Sequence, residues 1–297
     1  MNTRGFAFFL AFLAAMIYAV SFTVAKEVMP EYIKPYAFIL LRVAGATLLF
    51  WIAGAFIKKE KIDFRDFTRI ILASVFGIAL NMLAFFKGLS MTTPISASVI
   101  MVTSPILVLI FSSIILKEKA TKKKLAGILI GMLGAILMIA YGQKVAISKD
   151  EMTGNLLVLV NASSYALYLI LIRNLSQKYH PLTFAKWLYL FGLIMVIPFS
   201  YNEITEVDWS NLPVFAIQKI AFIVVFTTFL TYMFNLLAIR KLKPTTLSIF
   251  IYLQPVFATG YALLVGSDEL NEIKIGASVL IFIGVYLVTR KPKEEVS

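Results

Sequence analysis

The chain has no cysteine and a single histidine, His180, in 297 residues. Disulfides and thiol chemistry are excluded, and a metal cage of the His/Cys kind has no ligands to draw on, so no metal and no cofactor is expected. Charge is scarce: 15% of residues are Asp, Glu, Lys or Arg, against about a quarter in a soluble domain. Acid is scarcest, with 16 Asp+Glu against 28 Lys+Arg. A basic excess can mark a nucleic-acid binder, but here the basic residues sit in short stretches between apolar runs and form no patch, which excludes nucleic acid as a partner. There is no glycine loop of the ATP-binding kind, so an ATP-driven pump is excluded for this chain alone.

What is abundant is hydrocarbon. The sequence is 60% hydrophobic with mean hydropathy +0.87, which places it in a membrane. A spanning helix needs about 20 apolar residues. Ten runs qualify, at 6–26, 36–57, 68–90, 95–117, 123–142, 154–174, 182–201, 214–239, 245–266 and 274–289. The first resembles a signal peptide, but its apolar run continues to Ala25, which is the length of a spanning helix. Loops are short, so no separate soluble domain is expected. The fold class is an all-α, multi-pass membrane protein of ten transmembrane helices.

Loop charge orients the chain. With a cytoplasmic N-terminus, the inner loops and tails hold 20 Lys/Arg and 6 acids, and the outer loops hold 7 Lys and 10 acids. Both termini are therefore expected on the cytoplasmic side. Matching loops of the two halves carry opposite charge: KKEKIDFRDF after the second run against YNEITEVDW after the seventh, and KEKATKKK after the fourth against SDELNEIK after the ninth. Five spans per half, with opposed loops, predict an inverted-topology repeat, residues 1–146 and 147–297.

A repeated phrase supports the halves. PISASVIMVTSP at 94–105 returns as PTTLSIFIYLQP at 244–255, each bounded by proline. At that offset of 150, Ser98 meets Ser248, Pro105 meets Pro255, Glu118 meets Asp268 and Gly134 meets Gly284. At 147, Tyr18 and Lys26 meet Tyr165 and Arg173.

These features resemble the drug/metabolite transporter superfamily, EamA type. The resemblance rests on the paired repeats, Pro105 and Pro255, and the acids thirteen residues later in Leu116-Lys117-Glu118 and Gly266-Ser267-Asp268-Glu269. The glycine-rich closing spans (Gly127, Gly131, Gly134; Gly276, Gly284) and Arg42 also fit. Ser267 between glycine and acid, and the lack of an arginine aligned with Arg42, depart from the pattern. The resemblance implies small metabolites carried through a central cavity by alternating access, with amino acids the commonest cargo.

Candidate binding residues follow from polar groups inside spans. Proline removes a helix N–H, so Pro105 and Pro255 leave the carbonyls of Met101 and Ile251 needing another partner and mark kinks suited to gating. The i, i+4 stripe through Ser98 and that through Ser248 and Tyr252 are expected to face the cavity. Gly77, Asn81 and Phe85 on the third run align with Thr227, Thr231 and Asn235 on the eighth; such amides serve either as ligand contacts or as glue between helices. Tyr18, Asn161, Tyr165 and Tyr168 lie on the first and sixth runs. Arg42 is the one charge well inside a span, and either binds an anionic group or snorkels to the headgroups. Gly127 and Gly131 form a GxxxG pair for close packing. Asn161-Ala-Ser is a glycosylation sequon placed within a span and therefore set aside.

With no carboxylate or histidine mid-span, a buried proton relay has no residue to use, and facilitated diffusion or exchange is expected. The sequence therefore reads as a secondary transporter for a small solute, an amino acid or related zwitterion, with export the expected direction. The alternative is a carrier of organic anions or sugar phosphates using Arg42. A lipid-modifying membrane enzyme is a distant alternative, because neither a nucleophile/base pair nor clustered acids are present. The expected setting is the bacterial cytoplasmic (inner) membrane, with lipid and, as an open option, a second copy of the chain as partners.

Overall fold

The computed structural model describes residues 3–29, 31–92, 94–141, 149–264 and 271–290, and every regular element among them is helical. The helical runs are α1 (Arg4–Lys26), α2 (Pro35–Ala55), α3 (Phe64–Met91), α4 (Ala97–Ile115), α5 (Lys122–Ala140), α6 (Lys149–Lys178), α7 (Pro181–Thr205), α8 (Val214–Ile239), α9 (residues 244–264) and α10 (Glu272–Thr289). Nine of these runs, all but α9, are long and apolar enough to cross a membrane. The ninth expected span is built of three pieces, Pro244–Ser248, a 3₁₀ turn Ile249–Tyr252, and Leu253–Leu264. Pro255 cannot donate to the carbonyl of Ile251, and the backbone ahead of it tightens. The acids Asp268 and Glu269, expected to match Glu118, lie outside the described residues.

α4 breaks for the same reason. Its halves meet at Val102 and Thr103, and the carbonyl of Met101, deprived of a donor by Pro105, accepts from Ser104 Oγ at 2.7 Å. The freed carbonyl is thus satisfied by a hydroxyl, as the hydrocarbon setting demands.

Helix starts are set by local chemistry. Pro35, Pro181 and Pro244 open α2, α7 and α9, where a missing N–H costs nothing. Thr121 and Asn271 cap α5 and α10 by accepting from Lys124 N and Lys274 N. Glu203 of α7 accepts from Tyr36 N at 2.6 Å and Ala37 N at 3.2 Å, placing a carboxylate on the positive end of α2.

Packing pairs α5 with α10, α2 with α7, α1 with α8, and both α3 and α4 with α6. The α5–α10 contact is backbone on backbone. A Cβ on Gly284 would strike Gly127 O and the Gly131 backbone, and one on Gly134 would strike Ala277 O. Outward faces such as Leu129 and Leu133 on α5 and Val279 and Phe282 on α10 are exposed, an apolar surface of the kind lipid covers.

Polar ties fix the end of the bundle where α3 begins. Asp66 accepts from Tyr179 Oη at 2.8 Å and Lys178 Nζ at 2.6 Å, joining α3 to the α6–α7 corner. Glu118 accepts from Lys124 and, at 2.7 Å, from Thr245 Oγ1, joining α4, α5 and α9. Arg173 of α6 donates to Ile239 O and so caps the end of α8.

Candidate functional site

A cavity of about 180 Å³ lies between α1, α2, α3, α4, α6, α8 and α9. Its lining extends from Tyr165 and Tyr232 in mid-bundle to Met29 and Leu89 near the ends of α1 and α3. Among the described residues no carboxylate lines it, and its single charge is Arg42.

Two π-helical stretches adjoin the cavity, and the one on α8 supplies Ile223 and Thr227 to its wall. Residues Val75–Ala79 of α3 and Ile223–Leu230 of α8 widen the helical turn, a feature that recurs at functional sites. In α3 the carbonyls of Phe76 and Gly77 accept the hydroxyls of Ser164, at 2.6 Å, and Tyr232, at 2.9 Å. In α8 Thr228 Oγ1 donates five residues back to Ile223 O at 2.9 Å and accepts from Arg42 Nε at 3.2 Å.

Arg42 is therefore held in place from below. Its guanidinium also lies over the rings of Phe38 and Phe86, 5.9 and 5.7 Å from their centroids. No carboxylate pairs with it among the described residues. The side chain turns inward to the cavity wall.

The other sequence-derived candidates divide into wall, support and elsewhere. Tyr18, Arg42, Asn81, Phe85, Asn161 and Tyr165 all line the cavity. Asn81 and Asn161 do so while pairing reciprocally. Asn161 Nδ2 donates to Asn81 O at 2.7 Å and Asn81 Nδ2 to Asn161 O at 3.4 Å, which ties α3 to α6. The two amides are glue and wall at once.

Thr231 and Asn235 stand behind the wall, near the Tyr18 hydroxyl. Tyr168 lies beneath the cavity. Its ring covers Gly77, where any Cβ would strike it, and neighbours Tyr165 and Tyr232 at centroid distances of 6.4 and 6.0 Å.

The α9 stripe needs correction. Ser248 is buried and bonds back to Thr245 O at 3.2 Å. Tyr252 is fully buried against Gly131 of α5. Neither lines the cavity; Ile251 and Gln254 do. The expected stripe assumed a four-residue α-helical repeat, but in a 3₁₀ turn residues three apart eclipse, which brings Ile251 and Gln254 to one face. Ser98 and Pro255 line a second, neighbouring recess, and Pro105 is buried at the start of the second half of α4.

Residues that the pattern reading left out complete the wall. Met82, Met101 and Phe86 are apolar residues in an apolar sequence and carry no signal of their own. Tyr232 sits one position past the Thr227–Thr231 stripe, where the π segment rotates it inward.

The EamA-like transporter family matches residues 5–140 and 152–290 of this chain. Relatives include an uncharacterized transporter of Archaeoglobus fulgidus, 28% identical over 94% of this chain and 97% of its own. The uncharacterized transporter YyaM of Bacillus subtilis is 29% identical over 84% and 83%. The S-adenosylmethionine/S-adenosylhomocysteine transporter of Chlamydia muridarum is 26% identical over 88% and 85%. A solved crystal structure of a protein superposes with TM-score 0.80 at 15% identity, covering 97% of this chain and 98% of the other, a likeness of fold. With spanning helices around an internal cavity and a family match over both halves, the chain is a multi-pass membrane transporter belonging to the EamA-like transporter family.

Proposed function

We propose that the protein is a secondary transporter for a small organic acid with an apolar or aromatic body, best fitted by an amino acid or related zwitterion. The observation that carries this reading is Arg42, a braced guanidinium on the wall of a cavity that no carboxylate lines among the described residues. Such a group receives a carboxylate through charge-assisted, directional hydrogen bonds. Phe85, Tyr18 and Tyr165 offer ring faces to an apolar side chain and to an ammonium group. The Chlamydia relative's named cargo is itself an amino acid joined to a nucleoside, which supports the zwitterionic class.

Ten spans in two inverted five-helix repeats complete the reading. The family match in two stretches, the π segments of α3 and α8 near the same 150-residue offset, and the opposite charges of matching loops support it. With both termini cytoplasmic, the lining at Met29 and Leu89 lies toward the outside, so this conformation faces outward. Alternating access then exposes the same cavity to the cytoplasm, in a bacterial inner membrane, with net export down the solute gradient. Among the described residues no carboxylate lines the cavity, which favours diffusion or exchange.

The second reading, an organic-anion or sugar-phosphate carrier, draws on the same arginine. Counterflow in liposomes separates the two. Exchange of phenylalanine, reduced about tenfold or more by Arg42→Gln as a charge-assisted bond is lost, supports the first. Exchange of sugar phosphates without any amino acid establishes the second and overturns the first.

A further inference from the structure

Beside the cavity lies a second recess of about 290 Å³ between α1, α4, α5 and α9. Its walls are apolar apart from Ser98, Gln254 and Thr259, and they reach inward to the buried Ala19, Val102 and Met138. Three side chains, Met101, Ile251 and Gln254, belong to the walls of both spaces. The two are therefore neighbours across a thin partition.

The partition stands where both helices are irregular. Met101 is the last residue of the first half of α4, and its carbonyl is taken by a side chain. Ile251 lies in the 3₁₀ turn of α9, and Gln254 two residues beyond its end. Methionine is unbranched and adapts its shape to what it touches. Gln254 is half-buried, and among the described residues its amide has no hydrogen-bond partner. An amide offers two N–H donors and a carbonyl acceptor, and burial without a partner is costly.

We infer that the two spaces form one bipartite substrate site. The acid end of the solute rests on Arg42, its apolar arm passes Met101 and Ile251 into the second recess, and Gln254 bonds a polar edge of the arm at the neck. This rests on the Arg42 reading above and adds to it the feature that sets specificity: the length and character of the arm. The occupant is the arm of the same solute rather than a lipid chain, because the recess borders the Arg42 cavity and only the side chains of Met101, Ile251 and Gln254, common to both walls, stand between them. Acids with a bulky aromatic or heterocyclic arm are preferred over short ones.

The test uses the full chain in liposomes and two acids that share a head, phenylalanine and alanine. Ala258→Trp fills the recess from α9, and Ile139→Trp fills it from α5, so a folding defect in one does not decide the outcome. Monodispersity and thermal unfolding are measured for both. The expected result is a loss of about tenfold or more in phenylalanine exchange with alanine within about twofold of wild type, because an arm of several carbons loses its pocket. Arg42→Gln lowers both acids together. Folded variants that keep the phenylalanine-to-alanine ratio of the wild type overturn the bipartite site and leave the Arg42 reading standing. Wild-type protein that exchanges neither acid overturns both.

Discussion

Thr228 Oγ1 stands between Arg42 and the backbone: it accepts from Arg42 Nε at 3.2 Å and donates to Ile223 O at 2.9 Å. The π turn of α8 makes this geometry, because a donor five residues along reaches the carbonyl that an α-helix would present to the fourth. Thr228→Val keeps the shape and removes both bonds. Transport of carboxylates is expected to fall about tenfold, the value of a bond to a charged group, with Thr228→Ser restoring most of it. Initial exchange rates at a series of solute concentrations check this, and the loss should lie in apparent affinity.

Tyr252 separates packing from binding. Its ring fills the space above Gly131, and its hydroxyl is buried with no partner among the described residues. Tyr252→Phe removes an unsatisfied group and is expected to raise the melting temperature while leaving transport at the wild-type rate. Tyr252→Ala leaves a cavity and should cost about 3–5 kcal/mol of stability, as large aromatic truncations do. A transport defect in the Phe variant at full folded yield would return Tyr252 to the substrate path.

Gly276 and Gly284 lie eight residues apart on α10 and make opposite predictions. A Cβ at Gly284 meets backbone atoms of Gly127 and Gly131, which cannot give way, whereas nothing lies within 4 Å of one at Gly276. Gly284→Ala should destabilise by about 1–3 kcal/mol through overpacking. Gly276→Ala should be neutral or stabilising by up to about 1 kcal/mol, the helix propensity difference. Thermal unfolding in one detergent compares them directly.

The contrast between helix and site explains what the sequence revealed. Spans were legible because a bilayer demands long apolar runs, and the family resemblance because glycines and prolines act on the backbone of their own helix. Arg42, Tyr18, Asn81 and Asn161 stood out as polar groups in hydrocarbon, and all four line the cavity. The faces of α8 and α9 were not legible. A π segment and a 3₁₀ turn shift the angular register, so Tyr252 turned to α5 and Tyr232 and Gln254 turned inward, against a regular four-residue stripe. Neither irregularity follows from composition; each depends on which neighbouring hydroxyl or helix satisfies the backbone.

His180 gives a pH dependence whose sign can be worked out. It caps α7, its ring Nδ1 accepting from Leu182 N at 3.3 Å, while its own N–H donates to Glu60 at 2.8 Å. Burial and then the nearby positive charge of Arg240 hold its pKa below the ordinary value, with Glu60 opposing. The neutral ring is therefore favoured in the folded protein, and protonation at Nδ1 would remove the acceptor that caps the helix. Above about pH 6.5, the ordinary value for histidine, folded and unfolded chains are both neutral here and the contribution is fully present. As pH falls below that, the unfolded chain takes up the proton first, so stability is lost until the folded ring also titrates. His180→Asn keeps a good cap without a titrating group, so its melting temperature should lack this decline on the acid side of pH 6.5. His180→Ala loses the cap and should be about 1 kcal/mol less stable at neutral pH. Melting curves of the three proteins from pH 8 to pH 5 test the assignment, and an undiminished acid-side decline in the Asn variant would assign it to other groups.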